Sequence, residues 1–141
     1  MPSKTNTPHW IAAVLSWPGL VPLARAALVS AFLIGGIQKF VDFPGATAEQ
    51  AHFGLQPAWL WAAAAVIVEI AGSVLVIFGR WVWLGAGGLG VLTVIAMLAA
   101  NNFWALTGQE RFMAVNSFFE HLGLIAGLIL TCVMTERAQN A

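Results

Sequence analysis

Four long apolar segments divide the chain. They cover residues 22–41, 57–79, 81–106 and 112–134, and about 20 apolar residues are enough to cross a ~30 Å hydrocarbon core. Arg80 alone separates the second segment from the third, so these two segments are expected to form a tight antiparallel hairpin. The pattern therefore predicts an all-α protein, an integral membrane four-helix bundle.

The connecting stretches fit around this bundle. Residues 10–15 are apolar but are followed closely by Pro18, which predicts a short N-terminal helix at the membrane interface. The longest connection, residues 42–56, places Thr47 and Gln50 at capping-box spacing, which predicts one or two turns of helix. Because no repeat, low-complexity tract or linker interrupts the chain, residues 1–141 are interpreted as a single four-helix transmembrane domain.

The composition agrees with a membrane protein. Hydrophobic residues make up 60% of the chain and charged residues 9%, whereas an ordinary soluble domain has roughly 25% charged residues. Six basic and six acidic residues balance, so no excess of positive charge points to nucleic acid. Four basic residues fall on the side of the N-terminus, and Lys39 and Arg111 fall on the other, so both termini are expected in the cytoplasm. The four are Lys4, Arg25, Arg80 and Arg137.

Charged side chains inside the spans are the first candidates for function. A charge in the hydrocarbon core costs several kcal/mol unless it is paired, so each one implies a partner, a cavity or a role. The four are Arg25, Lys39, Glu69 and Glu120. At ~1.5 Å rise per residue, a long Arg25 side chain comes within reach of Glu69. We therefore expect a structural ion pair between Arg25 and Glu69, although proton handling or ligand binding stays open for both.

Several polar residues from the helices converge in the outer half of the bundle and predict a ligand pocket. The candidates are Lys39, Glu69, Asn101, Asn102, Asn116, Glu120 and His121. A ligand that is reduced in the membrane needs hydrogen-bond partners and a route for protons, and the side chains of Glu120 and His121 suit both needs. In the alternative interpretation Glu120 pairs with Lys39, His121 lies at the interface, and the two Asn residues cap a helix end. No catalytic residue is assigned.

The sequence contains no redox centre of its own. Cys132 is the single cysteine, and neither a flavin motif nor a haem-ligand pair at bundle spacing is present. His9 and His52 are isolated, so no metal site is expected. The Trp residues near span ends are interpreted as interfacial anchors rather than a ligand box. These are Trp59, Trp61, Trp81, Trp83 and Trp104.

A series of short motifs resembles a known family. In chain order they are Arg25 opening the first span, Gly35-Gly36-x-x-Lys39 ending it, Gly54-Leu55-x-Pro57, Glu69 followed by Gly79-Arg80, and Asn116-x-x-x-Glu120. Their order and spacing over about residues 23–130 resemble the DoxX family. The resemblance implies a four-helix bacterial inner-membrane protein, and some relatives belong to quinone-linked oxidoreductases such as thiosulfate:quinone oxidoreductase. A related branch carries paired cysteines, and this chain lacks them.

The resemblance implies a quinone-associated subunit or accessory of a membrane oxidoreductase system. The expected cofactor is a quinone that is not covalently bound. The expected partners are the lipid bilayer and either a partner protein or further copies of the chain. The main alternative is a non-catalytic membrane scaffold or assembly factor for a larger complex. A small-molecule transporter is a third hypothesis. The sequence gives it little support, because it contains neither an inverted repeat nor a broken helix.

Overall fold

The computed structural model describes residues 6–141, and within them it is all-helical. The six α-helices are α1 (His9–Leu15), α2 (Leu20–Val41), α3 (Phe43–His52), α4 (Ala58–Phe78), α5 (Val82–Ala100) and α6 (Gly108–Gln139). A 3₁₀ turn, Phe103–Ala105, joins α5 to α6. Four stretches are long and apolar enough to cross a membrane, namely α2, α4, α5 extended by the 3₁₀ turn, and α6. The predicted all-α membrane bundle is confirmed.

Successive spans run in opposite directions, so the connecting segments fall into two groups, one at each end of the bundle. The terminal end carries α1, the start of α2, the turn between α4 and α5, and the end of α6. The loop end carries α3 and the 3₁₀ turn. Apolar residues from all four spans form the buried core, which includes Val29, Val76, Val82, Leu89 and Leu128. Since Val76 and Val82 flank the α4–α5 turn, this core occupies mainly the terminal half.

Helix α4 packs against α2, α3 and α5, and the small residues along one of its faces allow this close packing. In its membrane stretch 39% of the residues are buried inside the protein, against 17% in α2 and 11% in α6. A Cβ atom added to Gly85 of α5 would lie 2.6 Å from the carbonyl oxygen of Gly72 in α4. The backbones of α4 and α5 therefore touch at this point, which only glycine allows.

The turn between α4 and α5 is as short as the sequence predicts. Gly79 ends α4 in the left-handed conformation at φ +69°, where glycine has no Cβ penalty. The N–H groups of Gly79 and Arg80 then bond to the carbonyls of Val76 and Leu75, which is the Schellman pattern. This pattern satisfies the last carbonyls of α4 and reverses the chain in a few residues.

The start of α3 differs from the sequence-based prediction. Thr47 does not cap this helix; its hydroxyl donates to the carbonyl of Phe43 at 3.0 Å. The cap is Asp42, whose carboxylate accepts from the N–H of Gly45 at 3.1 Å, and Pro44 occupies the first turn. The helix therefore begins earlier and has 10 residues rather than one or two turns.

Candidate functional site

A buried ion pair joins α2 to α4 near the loop end. Lys39 Nζ donates to Glu69 Oε1 at 3.1 Å and to Oε2 at 3.2 Å. Glu69 is only 8% exposed. Gly36 makes room for this carboxylate, because a Cβ atom at that position would lie 2.9 Å from the Cβ of Glu69. The positive charge of Lys39 and the negative charge of Glu69 thus neutralise each other inside the membrane span, where either charge alone would be costly.

The expected pair between Arg25 and Glu69 is wrong. Arg25 lies at the terminal end, where its Nη2 donates to Thr135 Oγ1 at 2.6 Å. Its Nη1 lies beside Gly79, and its Nε is buried without a hydrogen-bond partner. Side chains on a helix lean toward that helix's N-terminus. Both side chains therefore lean toward the terminal end. This direction takes Arg25 away from Glu69 and brings Lys39 to it.

The alternative pairing of Glu120 with Lys39 is also wrong, because Lys39 binds Glu69. Asn116 and Glu120 are exposed on the outside of α6. His121 is half-buried, and its Nδ1 lies 2.6 Å from the carbonyl oxygen of Ser117. Because a carbonyl oxygen only accepts, Nδ1 must be the donor in this bond. The structure does not bring these three α6 residues into the Lys39–Glu69 site.

A cavity of about 120 Å³ lies beside the ion pair, between α3, α4 and α5. Its polar lining consists of the ion pair with Glu49 and Gln50 from α3. Aromatic and aliphatic side chains and a row of alanines form the remaining wall. These are Phe53, Leu55, Trp61, Ala65, Leu92, Ile95, Ala96, Ala99 and Ala100. The alanines leave flat apolar surfaces, so the site combines one charged edge with smooth walls.

A second cavity of about 560 Å³ adjoins the first at the loop end. Phe53, Ala99 and Ala100 line both cavities and therefore lie between them. Asn101 and Asn102 line the second cavity together with residues of α3 and α6. Two of the predicted pocket residues therefore lie next to the Lys39–Glu69 site rather than in it.

Of the lining residues that the sequence analysis missed, Trp61, Glu49 and Gln50 carry polar groups. Trp61, interpreted there as an anchor, faces the cavity, and its indole N–H donates to the Gln56 carbonyl at 3.3 Å. The sequence could have predicted this position, because Trp61, Ala65 and Glu69 are spaced four residues apart and therefore share one helix face. Glu49 and Gln50 had no such signal. They reach the site because α3 folds back over α4.

The site offers hydrogen bonds and proton exchange rather than covalent chemistry. The Lys39 ammonium carries three donors, of which the carboxylate of Glu69 engages part, so one can turn toward a bound acceptor. Within residues 6–141 no group of three or more His, Cys, Asp or Glu side chains is placed to hold a metal ion. The arrangement suits a small molecule with oxygen acceptors and an apolar ring.

The fold and this site together define a class, the small four-helix integral membrane proteins with a charged pair inside the bundle. Comparison with known proteins names the family. The DoxX family model matches residues 20–102, and the chain belongs to this family. The matched stretch contains every residue that lines the Lys39–Glu69 cavity.

The chain is similar to inner membrane protein YphA of Escherichia coli strain K12, with 24% identity over 132 residues that cover 91% of each chain. No solved structure matches the chain. Together with the four apolar helices, these findings identify a multi-pass inner-membrane protein whose spans contact the lipid bilayer.

Proposed function

We propose that the cavity beside Lys39 and Glu69 binds the headgroup of a membrane quinone, and that the chain is a quinone-associated subunit or accessory of a membrane oxidoreductase. The observation that carries this proposal is the buried ion pair that borders a cavity inside the span. A quinone carbonyl oxygen is an acceptor, and the Lys39 ammonium is a donor at membrane depth. The side-chain amide of Gln50, which lines the same cavity from α3, supplies a further hydrogen-bond donor.

The cavity walls agree with a ring that carries a lipid tail. Trp61 and Phe53 supply aromatic surfaces, and Leu92 and Ile95 supply an aliphatic one. Ile95 also lines an apolar groove of about 490 Å³ between α5 and α6. An isoprenoid tail that leaves the cavity past Ile95 would enter this groove without crossing a polar surface.

Reduction of a quinone to a quinol takes two electrons and two protons. The sequence has one cysteine and no flavin or haem motif, so the electrons must come from a partner's redox centre or from a substrate that reacts with the quinone directly. In this proposal the chain's own residues hold the headgroup and pass protons, with Glu69 as the nearest carboxyl group and Glu49 of α3 beyond it.

The test measures quinone in protein extracted with its native lipids. We expect about one quinone per chain in the wild-type protein, well above the quinone content of the bulk lipid. Lys39→Met combined with Glu69→Met removes the pair without leaving an unpaired charge, and the quinone should fall to the bulk level. Mass spectrometry of the extracted lipid, normalised to phospholipid, gives the ratio.

Two neighbouring tryptophans supply the matched control. Trp61→Leu changes a cavity wall and should lower bound quinone, whereas Trp59→Leu changes a side chain that is 60% exposed on the same helix and should not. A wild-type protein that carries no more quinone than the surrounding lipid would contradict the proposal, as would equal effects of the two substitutions.

A scaffold role is the second candidate, and one observation favours it. The membrane stretch of α6 is only 11% buried, and it exposes polar side chains. A surface of this kind suits contact with another membrane protein. Purification in mild detergent separates the candidates, because a scaffold keeps one stoichiometric foreign subunit when Lys39 and Glu69 are both replaced by Met.

A further inference from the structure

Helices α2 and α6 meet along one line, and on each helix a stripe of small and polar residues runs beside that line. On α2 the stripe follows alternating steps of four and three residues, and on α6 it follows the same rhythm, so each stripe lies on a single helix face. The α2 stripe is Ala24, Leu28, Ala31, Gly35 and Gln38, and the α6 stripe is Asn116, Glu120, Gly123 and Gly127. We call these two stripes with the line between them the α2–α6 seam.

The stripes touch inside the molecule at one level. A Cβ atom on Gly127 would lie 2.9 Å from Leu28 Cδ1, so these two residues are in close contact. On the loop-end side of this contact Gly35 packs beside the ion pair, with its Cβ position 3.6 Å from Lys39 Nζ and 3.7 Å from Glu69 Oε2, and the other stripe residues are open. Ala31, Gln38, Glu120 and Gly123 are all exposed there, and nothing lies within 4 Å of the Cβ position of Gly123.

The depths of the open positions match in pairs. Measured from the Leu28–Gly127 contact at ~1.5 Å per residue, Ala31 lies about 4.5 Å and Gly123 about 6 Å toward the loop end. By the same measure Gln38 lies about 15 Å away, between Glu120 at about 10.5 Å and Asn116 at about 16.5 Å. The small residues therefore lie within about 1.5 Å of one level, and the polar residues lie in a band about 6 Å deep closer to the loop end.

The polar side chains on this surface have no partner in their own chain. Within the described residues Gln38, Asn116 and Glu120 make no side-chain hydrogen bond or ion pair. All three belong to spans, and Glu120 lies well inside α6. A carboxyl group that faces hydrocarbon without a partner is costly, so the seam is incomplete as long as lipid covers it.

We infer that the α2–α6 seam is the contact surface for a second copy of this chain, in a parallel dimer with a two-fold axis along the membrane normal. Such an axis keeps equivalent residues at equal depth and places α2 of one copy against α6 of the other. The small residues Ala31 and Gly123 then allow close approach. The Gln38 amide N–H of each copy donates to the Glu120 carboxyl group of its partner, and the two-fold axis makes this contact twice.

The surface favours a second copy over an unrelated subunit because it is self-complementary. The amide donor and the carboxyl acceptor lie on the same face and differ in depth by about 4.5 Å, which two long side chains can span, on the two helices that a two-fold axis places against each other. The Lys39–Glu69 cavity opens between α3, α4 and α5, and the seam adjoins the ion pair only through Gly35 on α2. The dimer contact and quinone binding therefore use different surfaces, and each can be tested without the other.

Cysteine cross-linking between differently tagged chains tests the contact. In a Cys132→Ala background, one chain carries Ala31→Cys and the other Gly123→Cys, so any disulfide between the two tags joins two molecules. We expect a cross-linked dimer after mild oxidation in the membrane. The control pairs Gly123→Cys with Ile67→Cys, since Ile67 is 65% exposed on α4 and lies off the seam, and it should give no product.

Substitutions at Glu120 test the hydrogen bond. Glu120→Ala should weaken dimerisation about tenfold in energy-transfer measurements on reconstituted bilayers, while Glu120→Gln should stay within about twofold because an amide still bonds to Gln38. Leu122→Ala alters an exposed α6 position off the stripe and should have no effect. A monomeric wild-type protein, equal cross-linking through Ile67, or a different polypeptide trapped at Gly123→Cys would overturn the inference.

Discussion

The choice of Lys39 over Arg25 as the partner of Glu69 is decided by side-chain direction. Both cations belong to α2, both are long, and both point toward the start of that helix. This direction brings the Lys39 ammonium to Glu69 and takes the Arg25 guanidinium to Thr135. Counting depth along the helix axis was therefore insufficient, because the reach of a side chain is not symmetric about its Cα atom.

Single and double substitutions of the ion pair should have unequal effects on stability. Lys39→Met leaves the Glu69 carboxyl group buried without its partner, which should lower the free energy of unfolding by about 3 kcal/mol. Glu69→Met should cost less, because the Lys39 side chain is 22% exposed and can turn toward the headgroups. The double variant should be more stable than Lys39→Met alone.

Unfolding in mixed micelles with increasing dodecyl sulfate measures these differences. Arg137→Met is the control, since Arg137 is an exposed cation outside the ion pair and its loss should change the unfolding free energy little. If the double variant loses as much unfolding free energy, relative to wild type, as the two single variants lose together, the two side chains do not interact and the ion pair has no energetic role.

At the scale of the helices, the contact between α4 and α5 depends on two glycines. Gly85→Ala places a methyl group against the Gly72 carbonyl and the Leu75 Cβ, so the helices must separate. We expect a loss of about 1–3 kcal/mol in unfolding free energy. Gly87→Ala on the same helix meets nothing within 4 Å and is the control. Equal losses at the two positions would show that backbone contact is not what holds α4 against α5.

The element boundaries show what local patterns determine and what they leave open. Long apolar runs predicted the four spans, because hydrocarbon imposes the same requirement along the whole helix. The start of α3 was misplaced because Thr47 and Asp42 are both good caps, and only the backbone decides which one bonds to a free N–H. The cavity depended on α3 folding back over α4, which no local pattern encodes.

For the whole molecule, the basic residues support a proposed orientation. Arg25, Arg80 and Arg137 lie at the terminal end, and Lys4 lies outside the described residues. Lys39 is engaged by Glu69, which leaves Arg111 as the basic residue free of an ion pair at the loop end of the described spans. From the positive-inside rule we expect the terminal end to face the cytoplasm.

Reporter fusions test this orientation. A fluorescent protein on the C-terminus should be bright, and alkaline phosphatase at the same position should be inactive, because the former folds in the cytoplasm and the latter does not. Insertion of alkaline phosphatase after Thr107, between α5 and α6, should give the opposite result and is the internal control. Active phosphatase at the C-terminus would reverse the proposed orientation.

The unequal packing of the two halves of the bundle has an electrical consequence. The apolar core fills the terminal half, whereas cavities open the loop half down to the level of Glu69. A transmembrane voltage falls mostly across the part of the path that excludes water. A proton that reached Glu69 from the loop-end surface through water in these cavities would cross only a small share of the ~2.3 kcal/mol that a full crossing costs per 100 mV. Protonation at this site should respond to pH at the loop-end surface far more than to the membrane potential.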